Sequence, residues 1–255
     1  MLFRTSFIAQ VIGISALALL AAHAHAETSA TTPVTHAEFE TLLRETLVQH
    51  PDILTDAIQS MQEKQKEKAE KEFKEGLTKY QNELFKDTSS PAVGPKNADV
   101  TFVQFFDYHC GYCKRLLPVI TKLTEEDKKV RVIFREFPIL SEDSVLASRA
   151  AIAVNRVAPD KYFAFHTELM KASGAYSMES LTATAKKLGV NEDKFRKAFE
   201  SKETTAMLDK TRELAEGLGV RGTPAIAFPD QLLPGAVPYE KLKELVAAQR
   251  TGKKK

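Results

Sequence analysis

The sequence predicts an α/β domain that opens with a strand–helix–strand unit, carries a block of helices, and closes with two short strands and a helix. An all-helical segment precedes it. Three observations carry this. Residues 100–106 and 130–137 are compact apolar and aromatic runs, and the stretch between them has helical periodicity through Leu116, Leu117, Ile120 and Leu123. Residues 143–218 keep helical spacing before strand-like runs return at 225–228 and 231–233. Residues 35–75 read as helix, first amphipathic and then almost wholly charged.

Composition excludes several classes. The 255 residues carry 36 Lys+Arg against 34 Asp+Glu, a formal net charge of +2, which is no nucleic-acid footprint. A hydrophobic fraction of 43% is too high for a disordered chain. Two cysteines cannot staple a miniprotein or fill a four-cysteine zinc site.

Residues 1–26 read as a cleavable signal peptide. Arg4 supplies the positive start, the run from Phe7 to Ala22 is apolar, and Ala24-His25-Ala26 is a small-x-small cleavage pattern. An uncleaved anchor is the alternative, but the run is short for a bilayer and Gln10 and Gly13 interrupt it. No cysteine near the cleavage region is available to take a lipid. Export places the cysteines in an oxidising compartment.

Residues 27–86 form a polar leader, a helical oligomerisation segment and a charged helical spacer. Thr35-His36-Ala37-Glu38 fits a capping box. Phe39, Leu42, Leu43 and Leu47 make one stripe, and Pro51 starts a second helix whose stripe is Ile53, Leu54, Ile58 and Met61. These pieces are too small to cover their own stripes. Residues 62–75 hold five lysines and five glutamates, with Glu67–Lys71 and Glu70–Lys74 as i,i+4 pairs, each supporting a helix by about 0.2–0.5 kcal/mol. Leu77, Tyr80 and Leu84 recover some apolar periodicity. Residues 87–99, with Ser89, Ser90, Pro91, Gly94 and Pro95, read as a linker and domain boundary. The α/β domain spans 100–250, with a helical block at about 141–218 in which Asn191 is a cap. Pro229-Asp230 makes the tight connection between the last strands, Pro238 opens the final helix, and 251–255 is a basic tail.

Cys110-Gly111-Tyr112-Cys113 lies at the turn from the first strand into the helix. A thiolate there faces unpaired backbone N–H groups and the positive end of the helix dipole, which lowers its pKa. Cys110 is therefore expected to be the exposed nucleophile, and Cys113 the thiol that closes back onto it and releases a mixed disulfide. Pro118 falls about two turns in and is expected to kink the helix. Two other uses stay open. A zinc half-site would need two more ligands, and His36, His50, His109 and His166 show no paired spacing. A purely structural disulfide would close a very small loop and stabilise little.

The strand from Phe102 to His109 leading into Cys110-Gly111-Tyr112-Cys113, with Gly222-Thr223-Pro224 far downstream, resembles the thioredoxin superfamily. The helical block resembles that of its DsbA-like branch, so the resemblance implies a thioredoxin-like fold with a DsbA-type helical insertion over about residues 100–249. It further implies a cis Thr223–Pro224 bond that sets Thr223 beside the Cys110 sulfur, with the Thr223 backbone open to an extended substrate; an ordinary trans bond is the alternative. Gly111-Tyr112 stands where DsbA-type oxidases carry Pro-His. With Thr before the proline, it is similar to DsbC-type isomerases and implies a less extreme oxidant, within about −120 to −230 mV. Gln104 stands where the superfamily often has a buried carboxylate. Asp107 is then the nearest acidic candidate for proton transfer, or a solvated strand-end cap, and His109 either tunes Cys110 or is simply exposed.

The N-terminal extension resembles that of oligomeric DsbA-like proteins, including ScsC-type ones. These readings imply an exported, periplasmic protein-disulfide isomerase or dual-function oxidoreductase, with outer-membrane association open. It would act on cysteine-containing exported proteins and need no metal or organic cofactor beyond its cysteine pair. A membrane partner of DsbB or DsbD type would recharge it. Self-association through about residues 36–61 is expected to give a homodimer, with a trimer as the second option and packing of the stripe onto its own catalytic domain as a third. A dedicated oxidase, and a non-enzymatic assembly protein with a passive disulfide, are the rival functions.

Overall fold

The computed structural model of the protein describes residues 34–252. The expected signal peptide, the polar leader up to Pro33 and Lys253 to Lys255 of the basic tail lie outside the described residues. The chain divides between Asp56 and Ala57, inside a helix, whereas sequence composition places the boundary at 87–99.

In the first unit, helix α1 (His36–Gln49) starts at the expected capping box. Thr35 Oγ1 accepts from Glu38 N at 3.3 Å, and Thr35 N donates to Glu38 Oε2 at 2.9 Å. No residue of α1 is buried, and Phe39, Leu42 and Leu43 are all exposed. Helix α2 (Pro51–Phe85) begins at Pro51 and continues through the charged stretch without interruption. The ion pairs along it are Lys66–Glu70, Lys68–Glu72 and Lys71–Glu75, not the pairs expected from sequence. All three are surface pairs in the less favourable order.

The second unit is built on a five-stranded sheet ordered β1-β3-β2-β4-β5. Strands β2 (Val100–Phe106) and β3 (Val130–Glu136) pair in parallel, Val100 opposite Val130 and Phe106 opposite Glu136, joined by helix α3 (Gly111–Glu126). Strand β4 (Ala225–Ala227) adds antiparallel to β2, and β5 (Leu232–Pro234) antiparallel to β4. The short edge strand β1 (Ala92–Val93) pairs antiparallel with β3. The expected linker at 87–99 is therefore partly sheet. The strand is only Ala92-Val93, flanked by Ser89, Ser90, Pro91 and Gly94, and Gly94 uses its freedom at φ +95°, where a Cβ would stand 2.1 Å from Val130 O.

Side-chain alternation along the strands feeds two cores. Phe102, Phe106, Val132, Phe134, Ile226 and Phe228 face α3 and the helical block. That block comprises α4 (Glu142–Val157), α5 (Tyr162–Lys171), α6 (Met178–Lys187), α7 (Glu192–Glu200) and α8 (Lys202–Gly217), followed after the strands by α9 (Tyr239–Thr251). Asn191 caps α7 by accepting from Lys194 N at 2.9 Å. Val103, Phe105, Ile133, Phe137, Ala225 and Ala227 face the other way, where Leu214, Leu218 and the end of α2 cover them.

The end of α2 is thus part of this fold. Phe73, Tyr80 and Leu84 are buried at helical spacing, which corrects their assignment to a spacer. Gly76 and Gly217 let α2 and α8 approach closely, since a Cβ on Gly76 would lie 2.0 Å from Gly217 O. Arg135 of β3, almost fully buried, bonds Glu83 O and pairs with Asp87 Oδ2 at 3.3 Å, locking the helix end to the sheet.

Candidate functional site

Strand β2 ends at Phe106, and Asp107-Tyr108-His109 turn the chain into α3 with Cys110 as its N-cap residue. Cys110 N donates to Asp107 O at 3.2 Å and Lys114 N to Cys110 O at 3.0 Å, so the helix starts on the cysteine itself. No side chain caps α3. Its first N–H groups and the positive end of its dipole are left to the sulfur. Pro118 sits inside α3, which continues through it to Glu126.

Gly222-Thr223-Pro224 comes to this turn from a distant part of the chain, and the Thr223–Pro224 peptide is cis. Cys110 Sγ donates to Thr223 O at 3.2 Å. The expectation of an exposed Cys110 is corrected. It is only 7% exposed and Cys113 0%, whereas Tyr112 between them is 61% exposed, with the Arg115 guanidinium 4.2 Å from its ring centroid. Burial pushes the Cys113 thiol well up, and the Asp107 backbone and Thr223 side chain oppose that rise. Both sulfurs are free thiols in this structure.

The remaining predicted residues divide. Asp107 is not a solvated cap. It is fully buried, and its carboxylate accepts from His109 N, Ser144 Oγ, Ile139 N and Leu140 N at 2.7–3.0 Å. Its donors sit in segments that sequence keeps far apart, which is why sequence could not show them. The His109 ring packs against Tyr176 at 5.0 Å between centroids, with Nε2 3.9 Å from Asp143 Oδ2. Gln104 is buried in the middle of the sheet, in register with Phe134 and Ile226.

Sequence reasoning missed a buried carboxyl. Glu136, at the end of β3, has Oε1 accepting from Tyr108 OH at 3.2 Å and Tyr162 OH at 2.9 Å. Tyr108 OH also lies 3.1 Å from His166 Nδ1. Burial pushes Glu136 up to about 8 and holds His166 down at about 3. Glu136 Oε2 and Ser148 Oγ have no hydrogen-bond partner, although Ser148 is close enough to oppose the rise. The available signal was a charged residue inside an apolar strand pattern.

This fold and this turn define a thioredoxin-type dithiol protein. The DSBA-like thioredoxin domain family matches residues 101–247, and the copper resistance protein ScsC N-terminal domain matches residues 36–68. Disulfide bond formation protein D of Bacillus subtilis is 27% identical over 173 residues, covering 64% of this chain and 78% of that protein. Proteus mirabilis ScsC in a compact conformation is 33% identical, with a TM-score of 0.64 over 86% of this chain and all (100%) of that one. A periplasmic thioredoxin-like protein from Salmonella enterica is 32% identical, with a TM-score of 0.61 over 67% of this chain and 95% of that one. The chain belongs to the DsbA-like thioredoxin family, in an ScsC-like form with the N-terminal helical segment, and is a thiol:disulfide oxidoreductase. Enzymes of this family exchange electrons through a redox-active cysteine pair with cysteine-containing proteins and with membrane redox partners.

Proposed function

We propose that the protein isomerises and forms disulfides in exported proteins, with Cys110 attacking and Cys113 resolving. The carrying observation is Cys110 Sγ at the start of α3, 3.2 Å from Thr223 O and beside the more deeply buried Cys113. The Cys110 thiolate attacks one sulfur of a client disulfide, forming a mixed disulfide and releasing the other client sulfur as a thiolate. If another client thiolate then displaces Cys110, the client is re-paired with no net electron transfer. If Cys113 displaces it, two electrons pass to the client and the Cys110–Cys113 disulfide remains. That disulfide, attacked by a client dithiol, runs the reaction toward oxidation. Burial pushes the Cys113 thiol up, so its attack on the mixed disulfide requires loss of a proton. Gly222, Thr223 and Pro224 shape the client groove, Gly111 and Tyr112 set the turn, and no metal or organic cofactor takes part.

The exposed apolar residues of 36–61 support self-association, as does the ScsC N-terminal domain match over 36–68. Our reading is a homodimer, with a trimer as the alternative, exported to the periplasm by residues 1–26 and recharged by a DsbB- or DsbD-type membrane protein. The test compares the full mature chain with its Leu43→Lys/Ile58→Lys form in light scattering and in refolding of a scrambled-disulfide substrate. The variant is expected to be monomeric and to lose most isomerase activity. A monomeric variant with undiminished isomerase activity refutes the role of the segment, and oxidation without any isomerisation by the wild type identifies a dedicated oxidase.

A further inference from the structure

Within the described residues, the exposed large apolar side chains fall into two groups. One is the N-terminal stretch from Val34 to Met61; the other is Tyr112, Ile139 and Leu140. Tyr112 belongs to the cysteine turn. Ile139 and Leu140 lie in the loop between β3 and α4, well beyond the turn in sequence, and hydrogen bonds connect that loop to the turn.

The connection is the Asp107 carboxylate. Its Oδ1 accepts from His109 N at 2.7 Å, within the turn, and from Ser144 Oγ at 2.7 Å, in the first turn of α4. Its Oδ2 accepts from Ile139 N at 2.9 Å and Leu140 N at 3.0 Å. The Asp107 backbone carbonyl meanwhile receives Cys110 N. One side chain thus holds three segments, with one oxygen committed to the turn and α4 and the other to the loop. Bonds from N–H groups to a buried carboxylate are among the stronger ones a fold makes. The loop amides lie near the surface, so water can replace the carboxylate there if it is removed. The loop can then separate from the turn while the sheet and the cores stay intact.

We propose that Asp107 is a positioning residue for client selection: it fixes the Ile139–Leu140 loop to the cysteine turn, so that a client segment with apolar residues beside its cysteine is held against Cys110. This rests on Cys110 being the attacking thiol.

The test uses full-length mature protein and two disulfide-bearing peptides that differ only in having Leu or Ser beside the cysteine, with reduced glutathione returning the oxidised cysteine pair to the dithiol and kcat and KM measured for each. The wild type is expected to prefer the Leu peptide through a lower KM. Asp107→Ala should reduce that preference about fivefold or more. Asp107→Asn should recover part of it, because its amide oxygen can still accept from Ile139 N and Leu140 N. Leu140→Ser should reduce the preference alone and add less than twofold to Asp107→Ala. Equal loss on both peptides, an unchanged preference, fully additive effects or a wild type without preference would each overturn the proposal. If Asp107→Ala fails to fold, Asp107→Asn combined with Leu140→Ser is judged by the same criterion. Turnover of either peptide by Cys110→Ser refutes the Cys110 assignment instead, so the two failures are distinguishable.

Discussion

Replacing Glu136 by glutamine removes a titration from the core while keeping its shape. In the folded protein the carboxyl titrates at about 8, against 4.5 for the ordinary group, because burial penalises the charged form. Below 4.5 both states hold the proton and folding carries no penalty. As pH rises the unfolded chain ionises first, so stability is lost progressively until pH passes the folded value. Between about pH 5 and pH 8 the loss amounts to about 3 kcal/mol. In Glu136→Gln the amide oxygen would keep an acceptor for Tyr108 OH and Tyr162 OH, and the amide nitrogen would face Ser148 Oγ, which lacks a partner. The stability difference between variant and wild type should therefore grow by about 3 kcal/mol in favour of the variant from about pH 5 to pH 8. His166, held neutral in the fold, contributes a separate loss of stability as pH falls below its ordinary value, and it cancels in the comparison. Urea unfolding by far-UV circular dichroism at fixed protein concentration measures the difference, since the chain has no tryptophan. A difference that stays flat with pH, or a variant less stable than wild type at about pH 8, would refute the reasoning and mean that native Glu136 is ionised.

Further predictions concern the α2 end and the cysteines. Gly76→Ala places a methyl 2.0 Å from the backbone oxygen of Gly217, and should cost at least about 1–3 kcal/mol in thermal or urea unfolding. Leu84→Ala, at a fully buried position of α2, should cost about 2–5 kcal/mol; a chain beginning at Asp99 should fail to fold, and if it melts like the full chain, the α2 end is dispensable. Cys113→Ser should accumulate mixed disulfides with a scrambled client on non-reducing gels, and Cys110→Ser should not; equal trapping by both would reverse or abolish the assigned roles.

The strand–helix–strand unit and the cysteine turn were legible in sequence because each is a local pattern. Apolar runs of strand length, a helical stripe through Leu116 to Leu123 and two thiols at the junction need no distant partner to be recognised. The Thr35–Glu38 capping box and the Asn191 cap were legible for the same reason, since a cap satisfies N–H groups within one turn. The 87–99 boundary misled because a two-residue strand, Ala92-Val93, is too short to show a period among the Ser, Pro and Gly that flank it. The charged helix misled because Phe73, Tyr80 and Leu84 are spaced among lysines and glutamates, and their burial depends on a sheet face contributed by later residues.

Sequence by itself determined the class of fold, the dithiol chemistry and the uncovered N-terminal stripe, all of which rest on periodicity and short-range spacing. Tertiary structure alone decided which groups share an environment. It buried Cys113 and Glu136, and it surrounded the Asp107 carboxylate with donors from three segments. The physical reason is that burial and hydrogen-bond partners are properties of packing. A carboxylate at the end of a strand reads the same in sequence whether water or four donors surround it.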